Sequence, residues 1–218
     1  MTANHDGLIE LYRSQEHLFK QFKNAVVDCF NLEPKLNQAK NPTIHSIKSR
    51  LKDPDHLREK LVRKTLEVDC ITLDNFFTRI TDLAGVRVLH LYQDQFPQIH
   101  GFIADKIKSQ DWFLAEKPIA YSWDPEARDF FESHGLEVKL KESYYTSIHY
   151  LIKPKGKSDI CCEIQVRTLF EEIWGEIDHT INYPEPTQSK ACKEQLRVLS
   201  KLVSTGTRLA DSIFRSND

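Results

Sequence analysis

Glycine is scarce in this chain, with seven among 218 residues, and there is one methionine. None of the glycines falls into G-x-x-x-x-G-K or G-x-G-x-x-G, so the usual P-loop and Rossmann phosphate cradles are excluded. Cysteine is sparse and odd in number: Cys29, Cys70, Cys161, Cys162 and Cys192 include no C-x-x-C pair. That argues against a disulfide framework and a cysteine zinc site, and it suits a reducing cytosol. No run approaches the ~18 apolar residues of a membrane span. The opening MTANHDGLIELY is not a signal peptide, so the expectation is a cytoplasmic protein without a membrane partner. Charge of one sign is lacking too. Thirty Lys and Arg against 32 Asp and Glu leave a net charge of −2, which does not indicate attachment to nucleic acid by bulk charge and leaves a local basic patch open. There is no internal repeat and no low-complexity tract.

What is present is enough for a packed core. Hydrophobic residues make up 40% and charged residues 28%, and the length fits one domain with a helical extension. Leu8, Leu11, Tyr12, Leu18, Phe19, Phe22, Val26 and Phe30 recur at steps of three and four, predicting a helix over 6–31 that Glu33-Pro34 helps to end. Residues 43–51 alternate as a strand, followed by the Asp53-Pro54-Asp55 turn and a charged helix to Leu66. A short helix capped by Thr72 is expected over 72–80, a buried strand over 84–92, a helix near 94–109 and a strand near 111–120. Asp124 and Pro125 read as the cap and first residue of a helix that Gly135 closes. Strands over 136–141, 145–153 and 159–167 follow. The last two are separated by Pro154-Lys155-Gly156-Lys157 as a hairpin. Helices over 168–182 and 188–214, split by Pro184 and Pro186, finish the chain. The fold class is α+β, a mixed sheet of about five to six strands with helices packed on it.

Three strands carry one polar face each. Ser46, Lys48, Arg50 and Lys52 share a face, as do Tyr145, Ser147 and His149, and as do Glu163, Gln165 and Arg167. This pattern fits a solvated sheet face and a polar cleft equally well. Asp82, before the strand at 84, is by itself a turn residue or an oxygen ligand for Mg²⁺. Residues 45–64 hold seven Lys or Arg against three acids. That local excess suits either a solvated helix or a polyphosphate site, where arginine stacks and lysine supplies point charge.

Four segments then stand in order: HSIKSRLKDPDHLREKL, ITDLAGVRVL, YYTSIHYLI and EIQVRTLFEEIWGEIDHTINY. Over residues 43–183 the chain resembles the synthetase domain of the RelA/SpoT-type alarmone synthetases. The resemblance implies a nucleotidyltransferase-like synthetase fold. It also implies transfer of the β,γ-pyrophosphate of ATP to the 3′-OH of GDP or GTP with Mg²⁺. On this reading residues 1–42 form an N-terminal helix, 43–183 the synthetase domain and 184–218 a C-terminal helix. The resemblance assigns Arg50 and Arg87 to stacking on adenine and Lys52, Lys60 and Arg63 to the triphosphate. Asp82 and Glu163 would hold Mg²⁺, with Glu163 also the general base on the 3′-OH. Tyr145 would stack on the acceptor base. His149, Gln165 and Arg167 would surround the acceptor phosphates and ribose.

The chain departs from the family pattern in places. N-G-Y-R-S-L-H is replaced by Ser143-Tyr144-Tyr145-Thr146-Ser147-Ile148-His149, and a serine of the ATP loop by His56. Glu172 stands where some small synthetases carry an asparagine facing guanine; a carboxylate can still accept from N1–H and N2–H₂. Trp174 reads as core and Cys161-Cys162 as strand packing. His5-Asp6 resembles the metal pair of the family's hydrolase domain but has no partner motif, so no hydrolase is expected. Two other functions stay open: a toxic relative acting on adenosine nucleotides or the CCA end of tRNA, and a nucleotide sensor without chemistry. Leu196, Leu199, Leu202, Val203 and Leu209 on the last helix would either cap the sheet or join copies into a homo-oligomer.

Overall fold

The computed structural model describes residues 5–38, 40–66, 71–156, 159–183 and 185–217. Cys70, Lys157 and Pro184 lie outside the described residues. Helix α1 (His5–Asn31) buries Leu8, Ile9, Tyr12, Phe19, Val26 and Phe30 along one face, while Leu18 points outward. A single turn, α2 (Pro34–Asn37), follows. Strand β1 (Ser46–Leu51) leads through Asp53 into α3 (Pro54–Leu66). Asp53 Oδ1 accepts from the backbone N–H groups of Asp55 and His56, as a helix-starting carboxylate should.

Helix α4 is shorter than expected, Phe76–Arg79, and Asn75 rather than Thr72 precedes it. Asn75 Oδ1 instead reaches back three residues to accept from Thr72 N–H at 2.8 Å, which closes the approach to the helix. Strand β2 (Ala84–His90) and helix α5 (Phe96–Lys108), with a 3₁₀ turn before the helix, match the pattern. The strand expected near 111–120 is two pieces, β3 (Trp112–Leu114) and β4 (Ile119–Ser122). Both pair with the same neighbour, β6 (Ser147–Pro154), at successive stretches. Pro118, which has no N–H for the ladder, sits in the interruption.

Asp124 caps α6 (Pro125–Ser133) by accepting from Glu126 N–H, and Gly135 leaves it at φ +79°. Strand β5 (Glu137–Leu140) and strand β7 (Cys162–Thr168) complete a seven-stranded mixed sheet in the order β1-β2-β7-β6-β4-β5, with β3 also on β6. β2 and β7 run parallel at its centre, and β6 and β7 pair antiparallel as expected of the hairpin. α1, α3 and α5 help to cover the apolar face, where Val86, Val88, Ile164, Val166, Ile148 and Ile152 are buried.

β7 runs straight into α7 (Leu169–Asn182) through a capping box. Thr168 Oγ1 accepts from Glu171 N–H, and the Glu171 carboxylate accepts from Thr168 N–H at 2.8 Å. α7 packs on the other side against α8 (Lys190–Asn217), where Trp174 donates to the Leu196 carbonyl at 3.1 Å. α8 is turned opposite to a simple amphipathic rule. Leu196 and Val203 face inward, together with Ser200, Thr207 and Asp211, while Val198, Leu202, Leu209 and Ile213 are exposed.

Candidate active site

Register decides which polar side chains meet. β1 pairs Lys48 with Arg87 and Arg50 with Gly85. β2 pairs Arg87 with Gln165 and Gly85 with Glu163, and β6 pairs His149 with Gln165. Two cross-strand rows result, Lys48–Arg87–Gln165–His149 and Arg50–Gly85–Glu163. The three polar faces noted in the sequence are therefore one surface.

α7 roofs that surface. Glu172, Gly175, Glu176, His179 and Tyr183 recur at helical spacing, and the last four line a cavity of about 560 Å³ between helix and sheet. Arg50, Asp82, Arg87, Tyr145, Glu163, Gln165 and Arg167 line the same cavity. A second hollow of about 360 Å³ adjoins it, walled by Tyr121, Lys141 and His149. Tyr145, Glu163 and Asp178 border both. The arrangement is a polar cleft, not a solvated face.

Glu163 sits at the junction. Its Oε2 accepts from Gln165 at 2.7 Å, and its Oε1 lies 3.0 Å from His149 Nδ1. His149 Nε2 is 3.1 Å from the Tyr145 hydroxyl. The tautomer protonated at Nδ1 satisfies both contacts, with Tyr145 O–H donating to Nε2. Burial pushes the Glu163 carboxyl up, but the His149 and Gln165 contacts outweigh burial and hold it below its ordinary value. Glu163 is thus an oriented carboxylate at neutral pH.

Asp82 lines the larger cavity beside two lysines. Lys52 Nζ is 3.1 Å from Oδ2 and Lys60 Nζ 2.6 Å from Oδ1. Burial raises its pKa, yet the Lys60 and Lys52 charges bring it down to about 2. Arg63 stands at the rim with its guanidinium 5.7 Å from the Tyr183 ring centre. Tyr183 stacks on His179 at 4.7 Å and bonds to Glu59.

Glu172 reaches from α7 to the sheet. Its side chain is 5% exposed, and its carboxylate meets Lys48 at 2.8 Å, Arg87 at 3.3 Å and Arg167. Trp174 is core, as expected, and so are Cys161 and Cys162. Asp6 pairs with Arg58 at 2.7 Å, a structural contact.

Among the described residues no group of three or more His, Cys, Asp or Glu is placed to hold a metal. Asp82 and Glu163 nevertheless face one cavity, and each raises the cost of charge on the other. Two hard oxygen donors beside a phosphate-sized, cation-lined space fit Mg²⁺, which takes one or two carboxylates and completes its shell with phosphates and water.

A family model described as the region found in RelA/SpoT proteins matches residues 49–188. The chain belongs to the RelA/SpoT family. GTP pyrophosphokinase YwaC of Bacillus subtilis (strain 168) is 25% identical over 184 residues, covering 81% of this chain and 77% of that one. Two solved structures of small alarmone synthetase 1 from Bacillus subtilis share the fold. The structure bound to its product pppGpp has a TM-score of 0.66 at 21% identity and covers 92% of this chain and 93% of the other. The structure bound to AMPCPP has a TM-score of 0.61 at 19% identity and covers 94% and 93%.

Within this RelA/SpoT chain, sequence reasoning missed Asp178, Glu176, His179, Tyr121 and Lys141. Glu176 and His179 on α7 could have been found by extending helical periodicity from Glu172, whereas Asp178 lies on a different side of the helix. Tyr121 and Lys141, 4.6 Å from ammonium to ring centre, carry no local signal, because the pairing of β4 with β6 and of β5 with β4 brings them in.

Proposed function

We propose that this chain moves the β,γ-pyrophosphate of ATP to the 3′-OH of GDP or GTP, forming (p)ppGpp and AMP. The observation that carries this reading is the position of Glu163 at the junction of two hollows, one cationic and one walled by aromatic rings. Similarity to the GTP pyrophosphokinase YwaC and to the small alarmone synthetase bound to its product pppGpp supports the same chemistry.

ATP occupies the larger cavity, with Arg50 and Arg87 on adenine and Lys52, Lys60 and Arg63 toward the triphosphate. The acceptor base stacks on Tyr145, and its phosphates and ribose lie near His149, Gln165 and Arg167. Glu163 takes the proton of the 3′-OH. The freed oxygen bonds to the β-phosphorus, and the bond from that phosphorus to the α,β-bridging oxygen breaks, so that AMP leaves. His149 and Gln165 keep Glu163 aimed and ionised. Mg²⁺, held by Asp82 and Glu163, would neutralise charge on the transferring phosphates. Most of the catalysis is positioning and charge stabilisation.

No helix of the described residues is long and apolar enough to cross a membrane. The substrates and the free thiols Cys29, Cys161 and Cys192 support a cytoplasmic location. The exposed apolar face of α8 beside Ile173 and Ile177 of α7 supports a homo-oligomer, which light scattering checks.

Incubation with γ-labelled ATP and GDP, GTP, AMP, ATP or tRNA tests the reading. Label on GDP or GTP at the 3′ position is the expected result. Label only on an adenine nucleotide or on tRNA overturns the acceptor, and no transfer with any acceptor overturns the chemistry.

A further inference from the structure

Glu172 is buried between α7 and the sheet. It reaches three cations from three strands: Lys48 on β1, Arg87 on β2 and Arg167 on β7. Arg87 is gripped a second time, 2.6 Å from Glu176 one helical turn on. Arg167 is 3% exposed, and its guanidinium sits 5.7 Å from the centre of the Tyr145 ring. Its Nε is buried and has no hydrogen-bond partner. The Glu172 carboxylate thus connects to the adenine-side arginine through one contact and to the acceptor platform through another. Its Oε1 accepts from Lys48 and Arg87, its Oε2 pairs with Arg167 without an aligned hydrogen bond, and its side chain is nearly enclosed, so the three cations rather than the open cavity hold this carboxylate.

We propose that Glu172 is a positioning residue that clamps Arg87 and Arg167 for donor and acceptor together, and that it does not read the acceptor base. This rests on the function proposed above. The physical reason is geometric. Guanidinium planes stack and donate directionally, so an anion fixed behind them sets the plane each presents. Burial pushes the Glu172 carboxyl up, but the Lys48 contact and the Arg167 and Arg87 charges keep it ionised. Base discrimination then falls to Tyr145 stacking and to other groups of the acceptor hollow.

The test compares GDP with IDP, which lacks the 2-amino group, as acceptors for the full chain. Glu172→Gln should raise the KM for ATP and for GDP in parallel, by about three- to tenfold each. The GDP:IDP ratio of kcat/KM should stay at the wild-type value, and Glu172→Asp should recover part of both KM effects. A ratio that collapses in Glu172→Gln while the KM for ATP is unchanged would assign Glu172 to the base and overturn the clamp. Unchanged KM values for both substrates would overturn it as well. If Glu172→Gln does not fold, Glu172→Asp replaces it, because it keeps the charge but draws the carboxylate back from both guanidinium groups. It should raise the KM for ATP and for GDP together, and unchanged values overturn the clamp. If the wild type transfers to no guanine nucleotide, the proposed function fails. Calorimetry with AMPCPP on wild type and Glu172→Gln then decides the clamp separately: weaker binding supports it, and equal binding overturns it.

Discussion

Arg50 and Glu163 face each other across Gly85, in one row over three adjacent strands. A Cβ built on Gly85 would come no closer than 4.0 Å to Arg50 Cγ or the Glu163 carbonyl. Space between Arg50 and Glu163 is thus kept open by a missing side chain, not by strain. Gly85→Ala should leave stability and turnover near wild type, whereas Gly85→Leu should fold and lose transfer as its side chain fills the gap. Thermal unfolding and label transfer on both variants check this. Full activity in Gly85→Leu would place the reacting groups elsewhere.

Glu163 and Tyr145 have opposite expected kinetic signatures. Glu163→Gln keeps the shape but cannot take a proton, so kcat should fall by ~10²–10⁴-fold with little change in acceptor affinity. Tyr145→Ala removes a stacking plane used in ground and transition states alike and should mainly raise acceptor KM. A KM effect alone in Glu163→Gln, or a kcat effect alone in Tyr145→Ala, reverses these roles.

Asp82→Asn should abolish transfer while circular dichroism stays native. Asp82 also links stability to pH. Its folded pKa of about 2 lies below the ordinary 3.8, so its contribution is complete above about pH 4 and lost as pH falls toward 2. Acid titration should show a shallower loss in Asp82→Asn over that window, along with lower stability at neutral pH. Near wild-type turnover at saturating Mg²⁺ would remove Asp82 from the site.

Gly175 is the opposite of Gly85. A Cβ there would lie 2.7 Å from Arg167 Nη1, so the buried guanidinium needs the glycine. Gly175→Ala should displace Arg167 and raise acceptor KM more than ATP KM. Equal effects, or none, in steady-state kinetics would show that Arg167 does not serve the acceptor.

Glu171 carries a separate pH effect. Burial pushes its carboxyl up to about 7, against the Thr168 hydrogen bonds. Between about pH 4.5 and 7 the folded chain keeps a proton that the unfolded chain has released, so stability falls as pH rises through that window. Glu171→Gln retains the capping acceptor and should remove the fall, gaining Tm over wild type at pH 8 but not at pH 5. The same Tm difference at both values would contradict it.

Much of this protein was legible in order along the chain. Helical spacing marked α1, whose buried residues face one way. Asp124-Pro125 and Gly135 marked both ends of α6, and alternation sorted the polar from the apolar sides of β1, β6 and β7. These features are local: a cap, a turn or a period-two pattern depends on neighbours a few residues away. The motif order also sufficed to recognise the family. The division of one expected strand at Pro118 and the cap at Asn75 were not legible, because each depends on which ladder or turn bond the folded chain makes. Glu172 shows the larger limit. Its sequence position gives no sign that three cations separated from it by 124, 85 and 5 residues converge on its carboxylate. Only register across β1, β2 and β7, with α7 laid over them, brings those charges within reach. Pairing of that kind is set by long-range packing, and no local propensity encodes it.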